Sequence, residues 1–344
     1  MNQRTLLILV GLGTATLGAG WYFGTASKPP QQTAIAVGQT MFPGLAATLK
    51  QAARIEITFQ GKTTTIALKD GRWGIVDRAG YPVIESKLHS MLTVLTELRL
   101  AEPRTADPAQ FGRLGVDDAT KADSNANHLR ILDAKGTAIV DVIVGHRRIR
   151  SQGKVEDQVY VRRPAENQAW LANGGLEADH DPGMWLPRDI LDIKHDRIQS
   201  VVVKRSDAPG LTFTRKDAKL ELTTPAEHPK LEDYKLEDIA RGYESFTLQD
   251  VRAVSDPVGQ TVGSSVFTTT DGLEITGVFY RADKDLWVNF TITGTGKAAD
   301  EAKTLHARLS PWLFEIGAWK GKTLIPAMDD LKATEKPAEA PAKP

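Results

Sequence analysis

Two stretches of the chain end in the same way, and this repetition constrains the fold more than any other feature of the sequence. Trp185-Leu186 leads to the apolar residues Ile190, Leu191 and Ile193, and Trp312-Leu313 leads to Ile316. Each stretch closes a block that opens with a β-like run and passes through one amphipathic helix. Internal similarity of this kind is typical of repeated structural units. We therefore predict an α+β fold with two tandem diverged copies of a mainly antiparallel sheet, each with one packed amphipathic helix.

The first copy is predicted over residues 51–195. Its opening run, 54–59, alternates apolar and polar residues with period two, as a half-buried strand does. A second β-branched run follows at 63–68, and Asp70-Gly71 is a hairpin signal before Trp73. Apolar residues spaced three or four apart then form one face of a helix. They are Leu88, Met91, Leu92, Leu95 and Leu98.

The second copy, 196–328, repeats this order with a β-like run at 197–203 and a helix whose apolar face begins at Leu236. The stretch 159–161 corresponds to 286–288 at an offset of 127 residues, and the same offset joins Trp185 to Trp312. Because one offset holds for two separate motifs, we interpret the blocks as a duplication. The predicted structural anchors of the repeats are Trp73, Trp185, Trp287 and Trp312.

The N-terminal segment Leu6 to Phe23 carries no charge, and with its flanks it reaches roughly the 20 residues that a helix needs to cross a bilayer. Trp21 and Tyr22 lie near its outer end, where such rings favour the membrane interface. We predict a transmembrane anchor or signal-anchor over 1–28. Cleavage as a signal peptide stays open, since Gly24-Thr25-Ala26 is a small-x-small site. A spacer and entry segment is predicted over 29–50, and a disordered Ala/Pro/Lys/Glu tail over 329–344.

The charge balance and the lack of cysteine exclude several classes of function. Lysine plus arginine equals aspartate plus glutamate at 43 each, which argues against a nucleic-acid partner. The chain has no cysteine, so it has neither a disulfide framework nor thiolate chemistry. No catalytic motif and no cofactor motif is complete. We therefore expect a protein that is not an enzyme and that needs no cofactor.

Asp179-His180-Asp181 comes closest to a ligand site, because carboxylates and imidazole are ligands for divalent cations. Glycine and proline surround it, so a polar surface loop is the favoured interpretation and no metal is predicted. Tryptophan rings can also stack on sugars, but the recurring ones fit core packing better. Trp170 and Trp319 are the two expected to be exposed. The possible ligand or partner contacts are therefore Trp170, Asp179, His180, Asp181 and Trp319.

Several short motifs occur in a fixed order along the chain. They are the N-terminal span, Met41-Phe42-Pro43-Gly44-Leu45, Asp70-Gly71-Arg72-Trp73, Leu114-Gly115-Val116, Ile143-Val144-Gly145, Val159-Tyr160-Val161-Arg162 and Trp185-Leu186-Pro187-Arg188. Together they resemble domain-of-unknown-function family 4340, whose members are membrane-anchored and occur alongside gliding-motility-type ABC transporter auxiliary proteins. The resemblance is looser in the second copy, where Leu220 stands in place of Trp73.

The resemblance implies an accessory protein beside an ABC-type transport complex, and the family brings no catalytic residues. We expect a non-enzymatic scaffold in the bacterial inner membrane, with a single pass and the bulk of the chain in the periplasm. Its expected partners are the membrane, through Leu6 to Phe23, and integral membrane or ABC-type transport proteins. A homo-oligomer is possible but has no support in the sequence. The alternative is a module that binds envelope glycans or lipid-linked substrates.

Overall fold

The computed structural model describes residues 37–149, 156–256 and 258–333. The predicted anchor over 1–28, residues 29–36 of the predicted spacer and the part of the predicted tail beyond 333 lie outside these residues. Within the described residues, no helix is both long enough and apolar enough to span a bilayer.

The chain folds into two large antiparallel sheets, and nine strands form the first. Its spatial order is β4-β3-β2-β1-β6-β7-β8-β9-β5. The strands are β1 Ala52–Phe59, β2 Lys62–Lys69, β3 Arg72–Ile75, β4 Tyr81–Pro82, β5 Arg99–Pro103, β6 Asn127–Asp133, β7 Ala138–Arg148, β8 Gln158–Arg162 and β9 Ala169–Asn173.

Eight strands form the second sheet, in the order β13-β12-β11-β16-β17-β18-β19-β15. A separate two-stranded sheet pairs β10, which lies between the two large sheets in the chain order, with β14, which follows β13 of the second sheet. The strands are β10 Asp189–Leu191, β11 Ile198–Arg205, β12 Leu211–Lys216, β13 Lys219–Thr224, β14 Phe246–Thr247, β15 Asp250–Ala253, β16 Gln260–Thr269, β17 Leu273–Ala282, β18 Asp285–Gly294 and β19 Trp312–Ile316.

Seven α-helices occur among the described residues. The two that were predicted from their apolar faces, α2 (Glu85–Glu97) and α4 (Asp233–Ala240), occupy equivalent places before β5 and β15. A third long helix, α5, joins β18 to β19, and the first sheet has only the short connection 163–168 at that place. The helices are α1 Leu45–Thr48, α2 Glu85–Glu97, α3 Phe111–Leu114, α4 Asp233–Ala240, α5 Ala299–Leu309, α6 Gly321–Leu324 and α7 Met328–Leu331.

The two strand orders match position by position once β4 is set aside. Strands β3, β2, β1, β6, β7, β8, β9 and β5 correspond to β13, β12, β11, β16, β17, β18, β19 and β15. A bulge fixes the register, because β1 breaks step with β6 between Ala52 and Arg54, and β11 breaks step with β16 between Ile198 and Ser200. The structure is thus a mixed α+β fold, mostly antiparallel, with a few helices.

Alternation along the strands places the core on one face of each sheet. In the first sheet Ile55, Ile57 and Ile131 are fully buried, together with Leu95 of α2. In the second sheet the buried side chains include a cluster of aromatic rings. Tyr243 lies 4.5 Å from Phe267, and Phe290 lies 6.0 Å from Phe314, as distances between ring centroids. Gly277 leaves room for this cluster, since a Cβ there would lie 2.9 Å from the Tyr243 hydroxyl.

Candidate functional site

Asp179, the first residue of the predicted polar loop, is used to hold α2. Its carboxylate forms an ion pair with Lys87 of α2, and its carbonyl accepts a hydrogen bond from Trp185 Nε1 at 2.9 Å. Lys87 Nζ also donates to the carbonyl of Met184 at 3.1 Å and lies 5.1 Å from the centroid of the Trp185 ring. The carboxylate is therefore already neutralised by a lysine within the chain.

His180 and Asp181 have structural partners as well. The His180 ring stacks on Phe59 at 3.8 Å, and its Nδ1 lies 3.0 Å from Asn127 Oδ1. Asp181 Oδ1 accepts from the backbone N–H of Gly183 at 2.8 Å and so caps the short turn that ends at Trp185. Across the residues that the structure describes, no three histidine, aspartate or glutamate side chains are grouped as metal ligands.

The two tryptophans that were expected to be exposed have different environments. Trp319 is 66% exposed at the tip of a short turn, with Lys320 Nζ 4.8 Å from the centroid of its ring. Trp170 lies in β9 and is only 8% exposed, so the expectation for it was wrong. The reason is its position inside the sheet, where β9 is paired on one side with β8 and on the other with β5.

The predicted repeat anchors also need a correction in their pairing. Trp185 is fully buried, but it ends a 3₁₀ turn after the first sheet, whereas Trp312 is a half-buried residue of β19. The strand equivalent to β19 is β9. Trp170 pairs with the last residue of β5, as Trp312 pairs with the last residue of β15. The equivalent dipeptides are therefore Trp170-Leu171 and Trp312-Leu313. Of the other two anchors, Trp73 is half-buried and Trp287 is 2% exposed.

An edge of the first sheet meets the second sheet through both charged and aromatic contacts. Arg78, just after β3, forms an ion pair with Asp250 of β15. The Tyr81 ring of β4 packs edge-on against Trp312 and Phe314, at centroid distances of 5.0 and 6.1 Å. Burial raises the pKa of the Tyr81 hydroxyl. An open recess of about 510 Å³ lies here, lined by Asp77, Arg78, Ala79, Asp250, Val251, Arg252 and Asp256.

Glu315 of β19 is the one carboxyl near this recess with a raised pKa. Burial is the main cause, and the negative charges of Asp285 and Asp250 add to it. Arg252 and Arg78 oppose the shift. The recess thus combines both signs of charge and has neither a nucleophile paired with a base nor a group of metal-binding side chains among the described residues.

Two of the sequence motifs meet on the outer face of the first sheet, which the motif list alone did not reveal. A Cβ on Gly145 of β7 would lie 2.3 Å from the carbonyl oxygen of Leu114 and 2.7 Å from the Val116 side chain. Leu114-Gly115-Val116 therefore lies directly on β7 because residue 145 has no side chain. Arg162 holds the same segment, since its Nε donates to the Val116 carbonyl at 2.9 Å.

Arg162 is part of the Val159-Tyr160-Val161-Arg162 motif, but the sequence alone predicted no role of its own for it. It is 8% exposed, its NH1 group donates to the carbonyls of Pro164 and Glu166 at 3.2 and 3.1 Å, and its guanidinium lies 4.6 Å from the centroid of the Phe111 ring. Burial lowers its pKa, and the nearby negative charge of Asp117 opposes this. Its place in that motif was the available signal.

Comparison with known families matches residues 73–262, more than half of the chain, to the model of Domain of unknown function (DUF4340). The chain belongs to the DUF4340 family. The matched part begins in β3, passes through the first sheet and the two-stranded sheet, and ends in β16 of the second sheet. The Leu114–Val116, Gly145 and Arg162 contacts therefore all lie inside the DUF4340 match. No curated protein and no solved structure matches the chain significantly.

Proposed function

We propose that this DUF4340 protein is a non-enzymatic scaffold of the bacterial cell envelope that binds partner proteins through its two sheets, beside an ABC-type transport complex. The observation that carries the proposal is the matched order of eight strands in two successive sheets. Such an arrangement presents two broad sheet surfaces, while Asp179, His180 and Asp181 are used to fix the fold. Repeated modules of this type commonly serve as binding surfaces.

We interpret the two sheets as diverged copies of one unit. The matched bulges in β1 and β11 and the matched positions of α2 and α4 support a duplication. The helix α5 has no counterpart in the first sheet and would be an addition to the second copy. A duplicated unit gives the protein two related but separately variable surfaces, which suits an accessory subunit that contacts more than one partner.

We further propose that Leu6 to Phe23 anchors the chain in the inner membrane with the sheets in the periplasm. The described chain begins along the edge of the first sheet, where the N–H of Gly38 donates to the carbonyl of Leu100 at 2.6 Å, and Met41 N–H donates to Leu98 at 2.7 Å. Phe23 and Gly38 are 15 residues apart, so an extended chain would span at most about 50 Å. The first sheet would thus stay within about that distance of the bilayer.

The test is membrane fractionation of the full chain, followed by photo-crosslinking and mass spectrometry. We expect the protein in the membrane fraction, resistant to carbonate extraction, with ABC permease subunits among the crosslinked products. The matched control is a variant with Leu9→Lys and Val10→Lys, which should lose membrane retention because charges are costly in the bilayer core. Recovery of the wild type in the soluble periplasmic fraction, or without any permease subunit, would contradict the proposal.

A second candidate function is binding of an envelope glycan or lipid-linked substrate, and the exposure of Trp319 favours it. An exposed indole beside Lys320 offers a ring face and a positive charge to a sugar or to a phosphate. Titration with envelope glycans should change the tryptophan fluorescence of the wild type and not that of Trp319→Phe. An unchanged wild-type signal would remove this candidate.

A further inference from the structure

Strands β3 and β13 occupy the same place in the two large sheets and are reached through the same kind of hairpin. A two-residue turn leads from β2 into β3, and another leads from β12 into β13. Counted from these turns, Leu220 and Leu222 of β13 are the equivalents of Trp73 and Ile75 of β3. The outer edges of the two strands can therefore be compared residue by residue.

In the first sheet, the segment that follows β3 pairs along its outer edge. The N–H of Gly80 donates to the carbonyl of Ile75 at 2.8 Å. The N–H of Val83 donates to the carbonyl of Trp73 at 3.2 Å. Between them Tyr81 lies opposite Ile75 and is only 7% exposed. The outward carbonyls of β3 are thus paired by β4 and its flanks within the same chain.

In the second sheet, the equivalent edge has no strand beside it among the described residues. The N–H of Leu220 donates to the Glu237 carboxylate at 2.9 Å, which shows that the backbone groups of Leu220 face outward. Since outward and inward groups alternate along a strand, those of Leu222 face the same way. An edge of this kind can accept a further strand. β13 thus has an open place where β3 has β4.

A recess of about 540 Å³ lies between β13 and α4, and acidic side chains predominate in it. Tyr234, which lines it, is 60% exposed. Lys219 is already paired with Asp233 at 2.9 Å. Arg241 is already paired with Glu244 at 3.1 Å. Four carboxylates and two cations line the recess, and they are Glu221, Asp233, Glu237, Asp238, Lys219 and Arg241.

We propose that β13 accepts an additional antiparallel strand from a partner protein, with an apolar residue opposite Leu222 and a basic residue opposite Glu221. Addition of a strand to an exposed sheet edge is an established mode of peptide recognition. The entering strand would give Leu220 a backbone carbonyl in place of the Glu237 carboxylate. A basic residue suits the acidic recess, because opposite charges directly across two strands stabilise their pairing. The proposal rests on the scaffold function proposed above and names the edge through which a partner binds.

A second copy of this chain fits the edge less well than a basic segment does. Pairing of two β13 strands would bring Glu221 and Glu237 of both copies to one place. Like charges across paired strands are destabilising. The charge of the recess therefore favours a partner other than β13 itself.

The segment 78–84 of this chain supplies a probe, because it pairs with β3 as the partner strand would pair with β13. Pro82 lies opposite Gly74, the equivalent of Glu221, so a fluorescent peptide of this segment with Pro82→Lys places a lysine opposite Glu221. With the full chain in detergent micelles, we expect saturable binding by fluorescence anisotropy. The peptide with Pro82→Glu should bind more weakly by about threefold or more. Absence of saturable binding, or equal affinities of the two peptides, would overturn the proposal.

Methylation of the peptide backbone distinguishes strand pairing from other binding. In the first sheet the N–H of Val83 faces β3, whereas the N–H of Ile84 donates to the carbonyl of Trp185. N-methylation at Val83 should therefore weaken binding by about fivefold or more, because it removes a hydrogen bond to Leu220. N-methylation at Ile84 is the matched control and should leave the affinity within about twofold. Equal losses would show that the peptide does not add as a strand, against the proposal.

A disulfide experiment locates the bound peptide, because the chain has no cysteine of its own. Glu221→Cys and a peptide with Pro82→Cys would place two thiols directly opposite one another. The control is Glu274→Cys, an exposed glutamate on β17, four strands away. Under mild oxidation we expect about tenfold more adduct with Glu221→Cys, since directly opposite residues lie within reach of a disulfide. Equal yields would contradict the proposed edge.

These peptide experiments need neither a membrane nor a permease. Their failure would exclude β13 as the binding edge and leave the fractionation result as it stands. Failure of the fractionation experiment would remove the transport-complex partner, whereas the strand addition to β13 would still be measured directly. The two proposals are therefore tested separately.

Discussion

The strands of the first sheet pack on a core that is mainly aliphatic, whereas those of the second pack on a cluster of aromatic rings, although the strand order is the same. At one equivalent position the first sheet has Val161 on β8 and the second has Phe290 on β18. Phe290 lies within 6.0 Å of Phe314, Phe246 and Tyr243, measured between ring centroids. The comparison teaches that strand order and register can persist while the side chains that fill the core change class.

The two sheets also differ in the connection that crosses the outer face of each, which we call the crossing. Residues 104–126 connect β5 to β6 in the first sheet and include α3, whereas the second sheet makes the equivalent crossing within residues 254–259. By strand register, Gly145 of β7 is the equivalent of Tyr280 on β17. The first crossing lies on Gly145, which has no side chain, whereas the second packs its own Val258 against Trp287 and Leu313, with Tyr280 beside them. The two crossings are thus held on their sheets by different packing contacts.

Truncation of the core rings should give the largest effect. Phe290→Ala is expected to lower the free energy of unfolding by about 3–5 kcal/mol, because it removes a ring and leaves a cavity among other rings. Val161→Ala at the equivalent position should cost only about 1.5 kcal/mol, since it removes two methyl groups. Chemical denaturation followed by circular dichroism would measure both. Equal losses would show that the two cores are energetically alike despite their composition.

A methyl group at the first crossing should have the next largest effect. Gly145→Ala places a Cβ against the backbone oxygen of Leu114, which cannot move as a flexible side chain would, so we expect a loss of about 1–3 kcal/mol. Hydrogen exchange should rise locally over residues 111–116. Gly112→Ala is the control, because no atom lies within 4 Å of its added Cβ. Unchanged exchange in Gly145→Ala would argue that the crossing is not held by this contact.

The acid dependence of stability should be partly traceable to Glu244. Its side chain accepts from His195 N–H at 3.1 Å and lies 2.9 Å from His195 Nδ1, and these hydrogen bonds, His195 first, lower the pKa of the Glu244 carboxyl. A carboxyl whose pKa is lowered by folding contributes stability at pH values above its unfolded pKa. This contribution is lost as the pH falls through the folded pKa. When the pH is lowered from about 5 to about 3, the free energy of unfolding of Glu244→Gln should fall by about 0.5–1 kcal/mol less than that of the wild type.

The control for that measurement is Glu97→Gln, on an exposed position of the helix beside the first sheet. Its stability should follow the wild-type pH profile. Denaturation curves at half-unit intervals of pH would separate the two variants. A Glu244→Gln profile that overlays the wild type would exclude the His195 contact as a source of acid sensitivity.

The smallest effect on stability is expected at the edge of the second sheet. In the first sheet β4 covers β3, but the equivalent strand β13 has no further strand beside it among the described residues. Glu237 of α4 accepts from the outward N–H of Leu220 at 2.9 Å and so occupies the place where a new strand would pair. Glu237→Ala should change the unfolding free energy by less than about 1 kcal/mol and increase self-association in light scattering. Glu237→Gln, which keeps an acceptor, should stay at the wild-type level.

The sequence predicted elements with strong periodicity well. The apolar face of α2 and the strands β1, β2 and β3 lie where the pattern of Leu88, Met91 and Leu95 and the Asp70-Gly71 turn placed them. The order of individually weak motifs predicted membership of the DUF4340 family, and the match over residues 73–262 confirms it. The correspondence between strands of the two sheets was predicted in outline, including the position of Leu220 as the equivalent of Trp73.

The pairing of individual positions could not be predicted from spacing alone. A constant offset of 127 paired Trp185 with Trp312, but α5 and the two crossings differ in length between the sheets, so no single offset applies to the whole chain. The bulges in β1 and β11 likewise align Arg54 with Ser200 and not with Arg197. Trp170 was misjudged because its burial depends on pairing with β5, whose residue Pro103 lies 67 positions earlier in the sequence.

The pairing of β5 with β9 also determines when the first sheet can be completed. Leu100 of β5 pairs with Ala172 of β9, so at a synthesis rate of about 5–20 residues per second the ribosome needs about 4–14 s between the two. During that interval the only described partner already made is the segment at 38–41, which bonds to Leu98 and Leu100. The segment at 38–41 is therefore available to pair with β5, which contains the buried Leu100, several seconds before β9 has been synthesised.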